Sequence, residues 1–328
     1  MSVIQILSDG LQRVRQVKKI LLGLWLAGWL VALPATWVVT ASIHAASKDS
    51  LASDALRSGF DMGWFGEYTN SAKGITTTFT PTVTGAGAFY ANLEAWASGD
   101  LFKGFSGLVV LGVLFALLWT FCLGGLLDRY ADPASRREAG RYLQACGRWF
   151  FRLVRLVSLS GILYFIIYKA FRWAYSQVAE VTRDVTSERT VLLISLVVMG
   201  TALFLLTLVQ MSFSYAKITT VLEDRRKMVR AALDGFQFVF TNPLQALGLY
   251  YTVALVSVVL LALYAAVGPG PAQSSAAGIF LALAVSQMFL LVRLMVRFWL
   301  IASEMGLYRD RMPPAEPAAA GGGPSRVG

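Results

Sequence analysis

One histidine, two cysteines and a charged fraction of 15% are all that 328 residues offer for polar chemistry. The single imidazole, His44, excludes a multi-histidine metal site and leaves no second histidine for a proton relay. Cys122 lies in an apolar run and Cys146 in a basic segment, a number and a setting that exclude a disulfide framework. There is no Walker sequence, no G-x-S-x-G elbow, no H-E-x-x-H and no carboxylate cluster within an apolar run. No cofactor is therefore expected, and no residue set stands out as catalytic. Charge this scarce, against about a quarter of residues in soluble proteins, points to a membrane.

What is present is hydrophobic, at 56% of the chain. Crossing the hydrocarbon takes about 20 apolar residues as helix, and the chain provides six such stretches, near 20–43, 104–127, 150–171, 190–216, 243–267 and 276–303. The last two form a hairpin, because residues 235–292 hold no charge and are interrupted by the turn sequence GPGPAQSS at 268–275. The third is the least apolar, since Arg152, Arg155 and Lys169 leave 13 uncharged residues between Leu156 and Tyr168; snorkelling of those side chains lets it cross. The first exceeds the 7–15 residues of a signal-peptide core and reads as an anchor, kinked at Pro34.

The formal net charge of +10 sits at the ends of the apolar runs rather than on one polar domain, so nucleic acid is not an expected partner. Segments 1–19, 128–152, 214–242 and 304–328 carry 18 Lys and Arg, against 8 in 44–103, 169–189 and 268–275. The positive-inside rule then puts both termini in the cytoplasm. Segment 44–103 becomes an external loop, aromatic enough to fold down over the bundle, with Thr80 and Pro81 starting a helix through FYANLEAW. Its carboxylates, Asp61, Glu67 and Glu94, have nothing in sequence to pair them. Residues 311–328, rich in Pro, Gly and Ala, read as a disordered cytoplasmic tail.

The stretch EDRRKMVRAALDGFQFVFTNPLQ at 223–245 leads from seven charges into that uncharged hairpin. From Ile218 the apolar residues recur at helical spacing, which predicts an amphipathic helix over 217–234 lying in the membrane interface. Glu223 with Lys227 and Arg230 with Asp234 are spaced to pair along it. Gly235 should break it, Phe236, Phe238 and Phe240 should sit at headgroup depth, and Asn242 before Pro243 should cap the next span. The pattern repeats: Gly10 precedes Gly23 by the same 13 residues that separate Gly235 from Gly248, and Gly147 leads similarly to Ser160 and Gly161. The expected fold is an all-α, polytopic transmembrane bundle of six spans, in three parallel repeats of interfacial helix plus helical hairpin.

Two arginine stripes are the candidate site. Arg293 and Arg297 lie one turn apart at the inner end of the last span, and Arg148, Arg152 and Arg155 follow an i, i+4, i+7 stripe where the third begins. The plain reading is snorkelling to phosphates. The sharper one turns both stripes inward as a basic pocket for an anionic lipid headgroup or phosphorylated ligand. Gln210, Ser212, Ser214, Ser286 and Gln287 read as interhelical hydrogen-bonding groups at membrane depth.

Through LLDRYAD, FSYAKITTVLEDRR and ALDGFQFVFTNPLQALGLYY the chain resembles a loosely defined group of six-span bacterial inner-membrane proteins. It is similar also to the membrane domain attached to some glycerophosphodiester phosphodiesterases. The resemblance implies a bacterial inner-membrane location and carries no catalytic residue across. The expected function is a non-enzymatic envelope component that supports transport or binds lipid or a protein partner. A small-molecule transporter or channel is the alternative, and an intramembrane enzyme the least favoured class.

Overall fold

The computed structural model describes residues 2–48, 61–79, 94, 106–132, 139–183, 187–268 and 275–312. Among these the chain is all-helical: α1 Val3–Gln16, α2 Lys18–Lys48, α3 Met62–Ser71, a 3-10 turn Gly74–Thr78, α4 Ser106–Ala131, α5 Ala139–Val181, α6 Glu188–Leu222, α7 Met228–Thr241, α8 Pro243–Val267 and α9 Ala276–Arg311. Six of them, α2, α4, α5, α6, α8 and α9, are long and apolar enough to cross a membrane. The Thr80–Pro81 start and the helix through FYANLEAW, apart from Glu94, lie outside the described residues, as do residues 313–328 of the expected tail.

Three of the six helices are far longer than the bilayer core requires. At about 1.5 Å per residue, the 43 residues of α5 extend roughly 64 Å and the 36 of α9 roughly 54 Å, against a hydrocarbon core of about 30 Å. The 35 residues of α6 extend roughly 52 Å. The excess lies at the basic end of the bundle, which carries α1, α7 and the turn between α6 and α7. Most buried apolar side chains gather there too, among them Leu126, Leu153, Phe213, Phe238, Leu249, Phe298 and Met305. Farther along the spans, Leu196, Val197, Val258 and Phe280 are exposed, as lipid-facing residues are.

That end is held by one arrangement used three times. Each time a helical segment at this end packs across the end of a neighbouring span, and a small residue lets the backbones approach. Gly10 of α1 packs on Ser303 of α9, Gly235 of α7 packs on the Ser212 carbonyl of α6, and Gly125 of α4 receives Tyr142 and Cys146 of α5. In the middle copy the small residue has moved to the span, and Gly147 has nothing within 4 Å. There is no break in that copy either: its interfacial part and its span are the single helix α5. In the first copy Ser2 and Gln5 form a capping box that starts α1, and Val17 separates it from α2.

The expected helix over 217–234 is two helices. Residues 217–222 continue the span as the last turns of α6, with Ile218, Thr219, Thr220 and Val221 buried in the core. The chain then turns at Glu223–Lys227, where Asp224 adopts φ 49°, and α7 begins at Met228. Five consecutive charged residues favour a solvated turn over one more buried helical turn, while apolar spacing continues across the turn and hides it. The expected ion pairs change accordingly: Arg225 holds Glu223 at 2.8 Å and Asp234 at 3.6 Å. Gly235 does not break α7 but lies inside it, and Phe238 is fully buried rather than at headgroup depth. Val229, Leu233 and Phe240 form the stripe of α7 that remains exposed. Pro243 opens α8 as expected, whereas the Asn242 side chain caps nothing and donates back to the Phe238 carbonyl.

At the opposite end Asp61 caps α3, accepting from the Trp64 amide at 3.0 Å. Tyr68 donates to the Thr76 carbonyl and meets Phe79 edge-on, and the 3-10 turn rests on α2 and α4. Midway between the ends, Gln287 accepts hydrogen bonds from both Trp25 and Trp29, and Tyr264 pairs with Ser286 at 3.1 Å. These bonds tie α2 and α8 to α9.

Candidate anion site at the basic end

The three spans that run toward the basic end, α4, α6 and α9, enclose a small cavity. Its polar lining is Gln210, Ser214 and Lys217 of α6 and Arg297 of α9, with Trp119 of α4 opposite. Periodicity sets this composition: Gln210, Ser214 and Lys217 recur at i, i+4 and i+7 and so share one face of α6. The Arg297 guanidinium lies 4.0 Å from the centre of the Trp119 ring, a cation–π contact that orients it without neutralising it. Arg293, one turn earlier on α9, adds a second positive charge beside it.

Neighbouring hydrogen bonds fix the uncharged groups. Tyr164 donates to the Gln210 amide oxygen at 2.6 Å, and the Ser214 hydroxyl donates to Glu304 at 2.6 Å. Glu304 is only 2% exposed, and Lys217 is close enough to act on its charge. Lys217 therefore faces one carboxyl, itself turned toward Ser214. Among the described residues Arg297 forms no ion pair. The cavity, about 50 Å³, has room for three or four waters by the usual measure of about 10–15 Å³ each, or for one tetrahedral anion. No group of three His, Cys, Asp or Glu side chains among the described residues could hold a metal.

The five arginines singled out from the sequence do not share this site. Arg148 and Arg152 reach the α6–α7 turn, where Asp224 accepts from Arg152 at 2.5 Å and stands 3.8 Å from Arg148. Both guanidiniums also lie over the Trp149 ring. The Arg152 hydrogen bond holds the Asp224 carboxyl below the usual aspartate range. Arg155 is exposed. The carboxylate of the turn draws Arg148 and Arg152 away, leaving Arg297 to the cavity with Arg293 one turn from it.

Sequence reasoning missed Lys217, Glu304 and Trp119. The sequence reading puts Lys217 at the start of an interfacial helix and Glu304 in the cytoplasmic segment just past the last span, because each stands where an uncharged run stops. Since α6 and α9 continue as helix past those points, both side chains stay in the bundle.

No family model, curated protein or solved structure matches the chain. The fold defines the class without them: a multi-pass integral membrane protein, all-α among the described residues, with six helices there long and apolar enough to span.

Proposed function

We propose that this is a non-enzymatic protein of the bacterial cytoplasmic membrane that binds an anionic lipid headgroup between α4, α6 and α9. The observation that carries the reading is Arg297, placed beside Lys217 and Arg293 with no acidic partner among the described residues. Lys217 and Arg297 line one cavity with Arg293 a turn away, the three positive charges repel one another, and a phosphate there relieves the repulsion. Arginine suits the task because its planar fork binds phosphate through two parallel hydrogen bonds. The resemblance noted in the sequence agrees with such a location. A further protein partner is part of the same proposal, the exposed stripe of α7 being its natural seat.

Replacing both Arg293 and Arg297 with glutamine should lower co-purified phosphatidylglycerol or cardiolipin about tenfold, as the loss of one charged hydrogen bond predicts. Lysine at both positions should retain part of the binding, as a point charge without the fork. Native mass spectrometry reads both results, and added inorganic phosphate separates a free anion from a lipid. Equal lipid in wild type and the glutamine variant would leave only snorkelling.

The proposed orientation places the basic end in the cytoplasm. Reporters fused after residues 140 or 228 should read cytoplasmic, and those fused after 48, 180 or 272 external. An external reading at 228 overturns it.

A further inference from the structure

A second cavity lies at the same end, between α1 and the last turns of α9, and has a different electrical character. Its volume is about 230 Å³, and its charged lining is Asp9 and Arg13 from α1 with Arg309 and Asp310 from α9. Two guanidiniums and two carboxylates make it neutral in sum, where the central cavity is positive. We propose that it binds a zwitterionic phosphoryl-ammonium group, of the phosphoethanolamine type.

Three observations support this. The Nη1 of Arg13 is buried and has no hydrogen-bond partner, a state that ordinarily costs a protein the full desolvation of the group. Asp9 is one helical turn from Arg13, in the favourable order for pairing, yet the two form no ion pair. Each is thus left to meet something else. Arg309 donates from Nη2 to the Ala131 carbonyl at the end of α4, which fixes the guanidinium at the cavity edge. Asp310 stands 3.9 Å from Arg311, so Asp9 is the carboxylate for the ammonium, and Arg13 and Arg309 take the phosphoryl oxygens.

The position suits a headgroup. The opposite face of α1 exposes Ile4, as helices lying in the membrane interface do. Trp299 donates to the Leu7 carbonyl at 2.7 Å and pins α1 to α9, so the cavity is a built feature of that contact. The missing side chain at Gly10 brings the two helices together along its floor. A singly anionic headgroup would bring no ammonium for Asp9, and so belongs in the central cavity instead.

The test uses the full-length protein in nanodiscs of equal phosphatidylethanolamine and phosphatidylglycerol, with bound lipid read by native mass spectrometry after release. Arg13→Gln should reduce retained phosphatidylethanolamine about tenfold, and Arg13→Lys by less. Asp9→Asn should lose phosphatidylethanolamine while keeping or gaining phosphatidylglycerol, a reversal that simple unfolding cannot give. Asp9 is half-buried, so this variant keeps the test open if Arg13→Gln fails to fold. Arg297→Gln should instead lose phosphatidylglycerol alone. Added soluble glycerophosphoethanolamine tells the source: displacement of the lipid marks a headgroup site open to free ligand, and persistence marks a membrane lipid. Equal phosphatidylethanolamine retention by wild type, Arg13→Gln and Asp9→Asn would overturn the proposal.

Discussion

Gly235→Ala is expected to destabilise the folded protein by about 3 kcal/mol, at the upper end of what overpacking usually costs. A Cβ at this position would stand 2.2 Å from the Ser212 carbonyl oxygen and 2.9 Å from the Ala216 amide nitrogen. Both are backbone atoms inside α6, so relief requires α7 to lift away from its span. Phe238, fully buried three residues later, would lift with it and lose its contacts with Tyr215 and Tyr308. Gly10→Ala meets a softer obstacle, the Ser303 hydroxyl, which can rotate away, and about 1 kcal/mol is expected. Gly147→Ala and Gly248→Ala have nothing within 4 Å, and lie inside helices where alanine is favoured by about 1 kcal/mol over glycine. Thermal midpoints in detergent rank the four variants. If Gly235→Ala melts with Gly147→Ala, the close approach of α7 to α6 does not hold this end together.

The fold was legible where a simple rule decides it. Uncharged runs set the number of spans, and basic residues at their ends mark the end where the helices run on. The α6–α7 boundary was not legible, because apolar residues keep helical spacing from Ile218 to Phe236 straight through a turn. The turn is set by Asp224 at φ 49° and by its contacts with Arg152 and Arg148, which lie more than seventy positions earlier. Gly235 shows the same limit from the other side. A glycine after a charged helix reads locally as a stop, and only the Ser212 carbonyl above it reveals that it exists for contact.

The candidate site divides along similar lines. Arg293 and Arg297 stood out because charge one turn apart in an apolar helix is conspicuous. Trp119 could not, since a tryptophan in an apolar run has no mark that an arginine lies over its ring. The α5 arginines could not be given a partner from sequence, and Asp224 takes Arg148 and Arg152 elsewhere. The partition matters for function. It leaves the central cavity lined by Lys217 and Arg297, with Arg293 one turn from Arg297, fewer charges than five and closer to what one phosphate can compensate.

Glu304→Leu is expected to be the most damaging single change at the basic end, at about 3–5 kcal/mol, because it leaves the groups that face this buried carboxyl uncompensated. The carboxyl is 2% exposed and accepts from Ser214 at 2.6 Å, with Lys217 acting on it from the same face of α6. Leucine there leaves the Ser214 hydroxyl without its acceptor and Lys217 without a counter-charge. Glu304→Gln keeps an acceptor for Ser214 and loses only the charge, so it should cost less. The double variant Glu304→Leu with Lys217→Met removes both charges together and should recover most of the stability, because a buried pair exchanged for apolar side chains is often neutral. It should still lose anionic lipid, since Lys217 lines the cavity beside Arg297. Stability and lipid retention would thus separate: the single variant loses the first, the double variant the second. If the double variant is no more stable than Glu304→Leu, Lys217 is not the partner of Glu304. The carboxyl then acts through Ser214 alone, and Ser214→Ala should reproduce the loss.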